Sequence, residues 1–145
     1  MSENDSPWPL RITVPGRPVG KERPRYRKGG PGLGKGRVYT PAKTRDYENT
    51  VAWAAKAAMG RRPILTGPVG LTIRCYFKGK PGWRTSKPDW DNVAKLCCDG
   101  MNKVVYLDDA QVSHVIISKI NGLEDKIEVT ARPLMPYSEN GLTAT

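Results

Sequence analysis

Histidine is almost missing from this chain: His114 is the single one in 145 residues. That leaves no basis for a histidine-based metal centre, so any hydrolytic metal would have to be held by carboxylates. Cysteine is scarce as well. Of the three, Cys97 and Cys98 are neighbours and no CxxC pair occurs. Buried, reduced thiols are therefore expected rather than disulfides or zinc. No apolar run reaches the roughly 18 residues of a membrane span. Residues 1–9 are polar, with Glu3 and Asp5, and lack the basic-then-apolar pattern of a secretory signal. A cytoplasmic location is expected.

Acidic residues are missing from one segment in particular. Residues 17–45 hold ten basic side chains against a single acid, Glu22, a local charge of +9, whereas the rest of the chain nets only +1. A basic excess confined to one segment points to a polyanionic partner; a solvated loop whose charge only aids solubility is the plainer alternative. Lys21, Arg23, Arg25, Arg27, Lys28, Lys35 and Arg37 are the candidate contacts to such a polyanion.

The length fits one domain able to bury a core unaided. Leu10, Ile12 and Val14 alternate with polar residues, as in a first strand. Residues 17–38, rich in Gly and Pro, read as a flexible basic loop. Thr40-Pro41 resembles a helix start, and a helix stripe of Tyr47, Val51, Ala54, Ala55 and Ala58 runs on to a stop at Gly60. Trp53 lies off that stripe and is expected to be a partly buried packing residue. Val69, Leu71, Ile73, Cys75 and Phe77 alternate through the clearest strand, followed by a second basic loop over 78–87. A second helix is expected from Pro88 or Asp89 to about Lys103. Two strands follow, over 112–120 and 126–132, with a hairpin signal at Asn121-Gly122. The tail from Pro133 reads as disordered. The whole predicts a small single α/β domain over 1–145: a mixed sheet of about four strands with two main helices, in the order β-α-β-α-β-β.

The chemistry concentrates between Lys87 and Val112. At 100° per residue, Asp91, Lys95, Asp99 and Asn102 fall within an arc of about 80°, opposite Val93, Leu96, Cys97, Gly100 and Met101. The polar face can be read blandly. Asp91–Lys95 and Lys95–Asp99 are i,i+4 pairs that stabilise a solvated helix, and Asp89 can be an N-cap. A second acidic pair, Asp108-Asp109, precedes the next strand. Carboxylates converging from the helix start and this turn would repel one another and call for a cation. Their oxygens suit Mg²⁺ or Mn²⁺, the usual apparatus of phosphodiester hydrolysis. Asp89, Asp91, Asp109 and Asp108 are thus the candidate metal ligands. Lys95, one turn from Asp91, is placed to stabilise charge on the phosphate.

The pattern Lys87-Pro88-Asp89-x-Asp91-Asn92, then Lys95, Asp99 and Asn102, then Asp108-Asp109-x-Gln111-Val112, closely resembles the RusA family of Holliday-junction resolvases, found in bacteria and their prophages. The resemblance implies that Asp89, Asp91, Asp109 and Lys95 are catalytic. It also implies a homodimer that binds a four-way DNA junction and makes paired nicks with Mg²⁺ or Mn²⁺ in recombination and repair, on an α/β sheet with two helices. Two other readings stand beside it: a nuclease acting on other branched DNA, and a non-catalytic basic nucleic-acid-binding protein. Two positions look unusual. Gly100 sits inside a helix, where glycine costs roughly 1 kcal/mol relative to alanine, and Lys103 stands where a glycine would end the helix. For the dimer contact, the strand 69–77 and the helix bearing Trp53 are the candidate surfaces.

Overall fold

The computed structural model describes residues 6–29, 36–39 and 41–136. β1 (Leu10–Pro15) buries Leu10, Ile12 and Val14 and exposes the residues between them, as a strand with one face on a core does. α1 (Ala42–Met59) buries Tyr47, Val51, Ala54, Ala55 and Met59. Its start is preceded by Pro41; Thr40 lies outside the described residues. Trp53 is 71% exposed, against the expectation of partial burial.

β4 (Val69–Lys78) is the apolar centre: Val69, Leu71, Ile73, Cys75 and Phe77 are all fully buried. It is followed by the short β5 (Gly82–Trp83), α2 (Trp90–Met101), β6 (Val112–Gly122) and β7 (Lys126–Pro133). The five strands form one sheet in the order β1-β7-β4-β6-β5. β4 and β6 run parallel through the α2 crossover, and every other pair in the sheet is antiparallel. The α/β class, mixed sheet and two helices agree with the sequence reading, with β5 as a fifth strand inside the expected loop 78–87.

The expected hairpin at Asn121-Gly122 does not form: β6 and β7 lie on opposite sides of β4 rather than against each other. β4 is the most thoroughly apolar strand and gains most from neighbours on both edges. The connection crosses its end, where the Asp125 carboxylate accepts from the Lys78 amide at 2.7 Å and from Arg17 at 3.1 Å. With both edges taken, β4 has only its outward face, with Arg74 exposed, left for a dimer contact. A second correction concerns residues 17–38. Within that stretch β2 (Arg25–Arg27) and β3 (Arg37–Tyr39) pair antiparallel as a two-stranded ribbon. Residues 30–35, which include Lys35, and most of the tail beyond Pro133 lie outside the described residues.

Both helices pack on one sheet face and touch each other. Val93, Leu96, Cys97, Gly100 and Met101 are the buried side of α2. At Gly100 an added Cβ would lie 2.7 Å from Val51 Cβ and Cγ1 and 3.0 Å from Glu48 O. Glycine there is a helix-packing residue, which accounts for its unusual place. Lys103, just past the helix, has φ 65°, the left-handed conformation for which glycine is favoured. Cys75 and Cys97 are buried and Cys98 half-buried, all as free thiols.

Candidate active site

Asp89 stands at the N-cap of α2, yet its side chain makes no capping hydrogen bond. Its carboxylate instead accepts from Lys87 Nζ, at 3.0 and 3.2 Å, and is exposed. The plain capping role thus fails for Asp89. Asp91, in the first turn, is likewise exposed. Among the described residues no ion pair joins Lys95 to Asp91 or Asp99, so the surface ladder of the bland alternative is absent too.

The basic segment is strapped across this helix start. The Lys21 amide donates to Asn92 O at 2.9 Å, and the Glu22 amide to the buried Thr44 hydroxyl at 3.3 Å. A Cβ on Gly20 would sit 3.1 Å from those of Pro88 and Asn92, so the segment lies flush on α2. Between them runs a groove of about 830 Å³ with Asp89 and Asp91 in its wall. Arg17, Lys21, Arg23, Arg25, Lys43, Arg84 and Lys87 line the same groove. Cations and carboxylates therefore share one cleft.

The expected DNA contacts divide. Arg23, Arg27, Lys28 and Arg37 are exposed, and Arg25 is exposed but paired with Glu22 at 3.2 Å. Lys21 is different: its ammonium lies 2.7 Å from Glu48 on α1 and 3.1 Å from Asp99 on α2. Partial burial disfavours its charge, but hydrogen bonds to Glu48 and Asp99 prevail and hold it above the ordinary lysine value. Lys21 thus joins the two helices. Glu48 was not legible as part of the site, because it needed α1 and α2 to be brought together.

The second acidic pair splits by role. A 3₁₀ turn over Asp109–Gln111 is built by a reciprocal capping box: the Asp108 carboxylate accepts from the Ala110 amide at 3.3 Å, and the Gln111 side chain accepts from the Asp108 amide at 2.9 Å. Gln111 Nε2 also donates to Leu65 O and Gly67 O, both at 2.9 Å, which fastens the turn to the chain before β4. Asp108 therefore shapes the turn that presents Asp109. Partial burial raises the Asp109 pKa above the usual aspartate value, helped by the charges of Asp108 and Asp99 and a hydrogen bond with Asp99, and opposed by Lys95. Asp109 is an acid among acids, with Lys95 as its nearby cation.

The carboxylates accordingly form two sets. Asp89 and Asp91 sit at the start of α2, and Asp109 faces Asp99 and Lys95 further along. Eight residues of helix separate Asp91 from Asp99, roughly 12 Å of rise. Among the described residues no three His, Cys, Asp or Glu side chains gather into a metal site. The Asp89–Asp91 pair still matches what Mg²⁺ takes, one or two carboxylates with water and phosphate completing the shell.

An acidic pair set in a basic groove, on an α/β sheet, has the charge division of a nuclease that works on a nucleic-acid backbone. The comparisons agree. The sequence matches the family described as Endodeoxyribonuclease RusA over residues 15–132. It is 33% identical over 141 residues to the uncharacterized protein YqaN of Bacillus subtilis (strain 168), covering 85% of this chain and 95% of YqaN. It is 32% identical over 68 residues to the crossover junction endodeoxyribonuclease rusA of Lactococcus phage r1t, covering 43% of this chain and 52% of that protein. The chain belongs to the RusA family of endodeoxyribonucleases. Among the described residues no helix is long and apolar enough to cross a membrane.

Proposed function

We propose that this endonuclease resolves four-way DNA junctions by paired nicks, using Mg²⁺ or Mn²⁺ and acting as a homodimer. The observation that carries the reading is the groove in which Asp89 and Asp91 share a wall with the cations of the basic segment. Arg23 and Arg25 would hold the phosphate backbone there, and Lys87 and Arg84 would flank the acids. Asp89, Asp91 and Asp109 would hold the cation, Asp108 would fix the turn carrying Asp109, and Lys95 would stabilise charge on the phosphate. The cation, when bound, polarises the scissile phosphate and lowers the pKa of a water.

The separation of the two acidic sets favours a dimer. β5 covers β6 only at Ile120 and Asn121, and the residues from Ser113 to Ile116 are exposed along an edge with no strand partner among the described residues. Such an edge is a template for another strand. Two copies of β6 paired antiparallel about a two-fold axis would bring the Asp109 end of one copy beside the Asp89 turn of the other. Mixing Asp91→Asn and Asp109→Asn chains tests this. If each site draws on both copies, heterodimers regain one intact site and nick one strand; continued inactivity of the mixture points to sites within one chain. The overall reading is tested on a synthetic four-way junction beside a linear duplex of the same sequence, with and without Mg²⁺. Junction nicking that requires the metal supports it; binding without nicking, with or without Mg²⁺, favours the non-catalytic DNA-binding reading.

A further inference from the structure

We propose that Lys119 and Arg84 are positioning residues that hold the turn leading into Asp89 and so fix the direction of the Asp89–Asp91 pair. The inference rests on the metal-dependent reading of that pair. Lys119 stands in register with the fully buried Cys75, on the helix-facing side of β6, where an apolar residue would be usual. Its ammonium donates to Ser86 O and to Pro88 O, both at 2.9 Å. Arg84 takes the carbonyl between them: Nε and Nη2 donate to Lys87 O at 3.0 and 2.6 Å. Its Nη1 donates to Asn121 Oδ1 at 3.1 Å, and its guanidinium lies over the Phe77 ring, 4.1 Å from the centroid.

Three consecutive carbonyls immediately before Asp89 are therefore each gripped by a cation rooted on the sheet. The basic segment packs on this helix start from outside, but the direction of the turn itself is set by these three bonds. Asp89 makes no capping bond to the helix, so helix formation alone does not orient its carboxylate. The turn enters the helix from the exposed residues Thr85, Ser86 and Lys87, and peptide carbonyls there would otherwise bond only to water. Charge-assisted bonds from half-buried side chains are strong and directional. Arg84 is also held on three sides, so its guanidinium serves the turn although it lines the groove.

The test is direct Mn²⁺ binding, followed by electron paramagnetic resonance on the intact DNA-free protein, with four-way-junction affinity in the absence of divalent metal measured in parallel. Lys119→Met is expected to weaken Mn²⁺ binding by about ten- to a hundredfold, the usual loss when a residue supporting metal ligands is removed. Junction affinity should stay within about twofold, because Lys119 does not line the groove. Lys119→Arg, which keeps the donors, should recover part of the Mn²⁺ affinity. Arg84→Gln, with Lys119 untouched, should also weaken Mn²⁺ binding and is the deciding variant if Lys119→Met does not fold. Wild-type Mn²⁺ affinity in folded Lys119→Met or Arg84→Gln overturns the positioning role while leaving the metal-dependent reading intact. No Mn²⁺ binding by the wild type overturns both.

Discussion

Replacing Gly100 with alanine sets helix propensity against packing, and the geometry decides which prevails. An alanine would improve α2 by about 1 kcal/mol in isolation. Its Cβ, however, would lie 2.7 Å from two atoms of Val51 and 3.0 Å from the Glu48 carbonyl, where carbon contacts prefer about 3.5–4.0 Å. Val51 is β-branched, fully buried and held in one rotamer, and the carbonyl belongs to the α1 backbone, so neither can move aside alone. The two helices must separate, and overpacking of this kind costs about 1–3 kcal/mol. Gly100→Ala is expected to destabilise the protein by about 1 kcal/mol net, a fall of roughly 3–5 °C in Tm for a domain of this size. Urea unfolding followed by circular dichroism reads this as a lower midpoint with an unchanged slope. Separation of α1 from α2 also stretches the Glu48–Lys21–Asp99 link, so the basic segment should exchange its amides faster than in the wild type. A variant as stable as the wild type, or more so, would refute the close approach of the helices.

Lys95→Ala should slow cleavage strongly at saturating junction DNA while changing stability by under about 1 kcal/mol; normal turnover in the folded variant would return Lys95 to an ordinary surface role. Neutralising Arg23, Arg25 and Arg27 together should flatten the salt dependence of DNA binding by roughly one unit of slope per lost phosphate contact, and identical slopes would put the DNA elsewhere. Because the Asp109 pKa is raised on folding, its ionised form costs stability above that pKa, and the cost disappears as the pH falls to the ordinary aspartate range. Asp109→Asn should therefore lose cleavage yet melt above the wild type at neutral pH without metal, with the gain fading in acid; a lower neutral-pH melting point contradicts the crowding of acids. Lys103→Gly should stabilise the protein by about 1 kcal/mol, since only glycine takes the left-handed conformation without cost, and no gain in thermal melting would show that the lysine is not strained.

Much of the fold was legible because period and burial coincide. The alternation in β1 and β4, the stripe of α1 and the apolar side of α2 each translate directly into buried residues. What misled was local turn chemistry. Asn121-Gly122 signals a hairpin, but strand neighbours are chosen by which strand has two faces to bury and two edges to fill, and β4 claimed both β6 and β7. The ribbon β2–β3 and the short β5 were hidden in Gly-rich sequence, since strands of two or three residues leave no period to read. In the site, spacing placed Asp89 and Asp91 at the start of α2 and Asp108-Asp109 before β6, but the expected convergence of these acids within one chain is not seen among the described residues, and that Asp108 caps the turn was not legible, because it depends on which oxygen meets which amide. Lys119 did leave a signal: a lone cation at the helix-facing register of Val115, Ile117 and Lys119. Its meaning appeared only with the turn that it holds.

The three thiols give the molecule a chemical clock for its own opening. Burial pushes Cys75 up to about 12 and Cys98 up to about 11, and raises Cys97 as well. At pH 8 a thiol at 12 is ionised in only about one molecule in ten thousand, so disulfide reagents should meet a nearly inert protein while it is folded. Cys75 lies at the centre of the sheet and Cys97 on the buried side of the crossover helix. The rate at which the two are consumed therefore times the lifting of α2 from the sheet. Half-buried Cys98, on the same helix, supplies the reference for motions that leave the core shut. Addition of a divalent cation or junction DNA should slow the first process more than the second if either ligand clamps that helix.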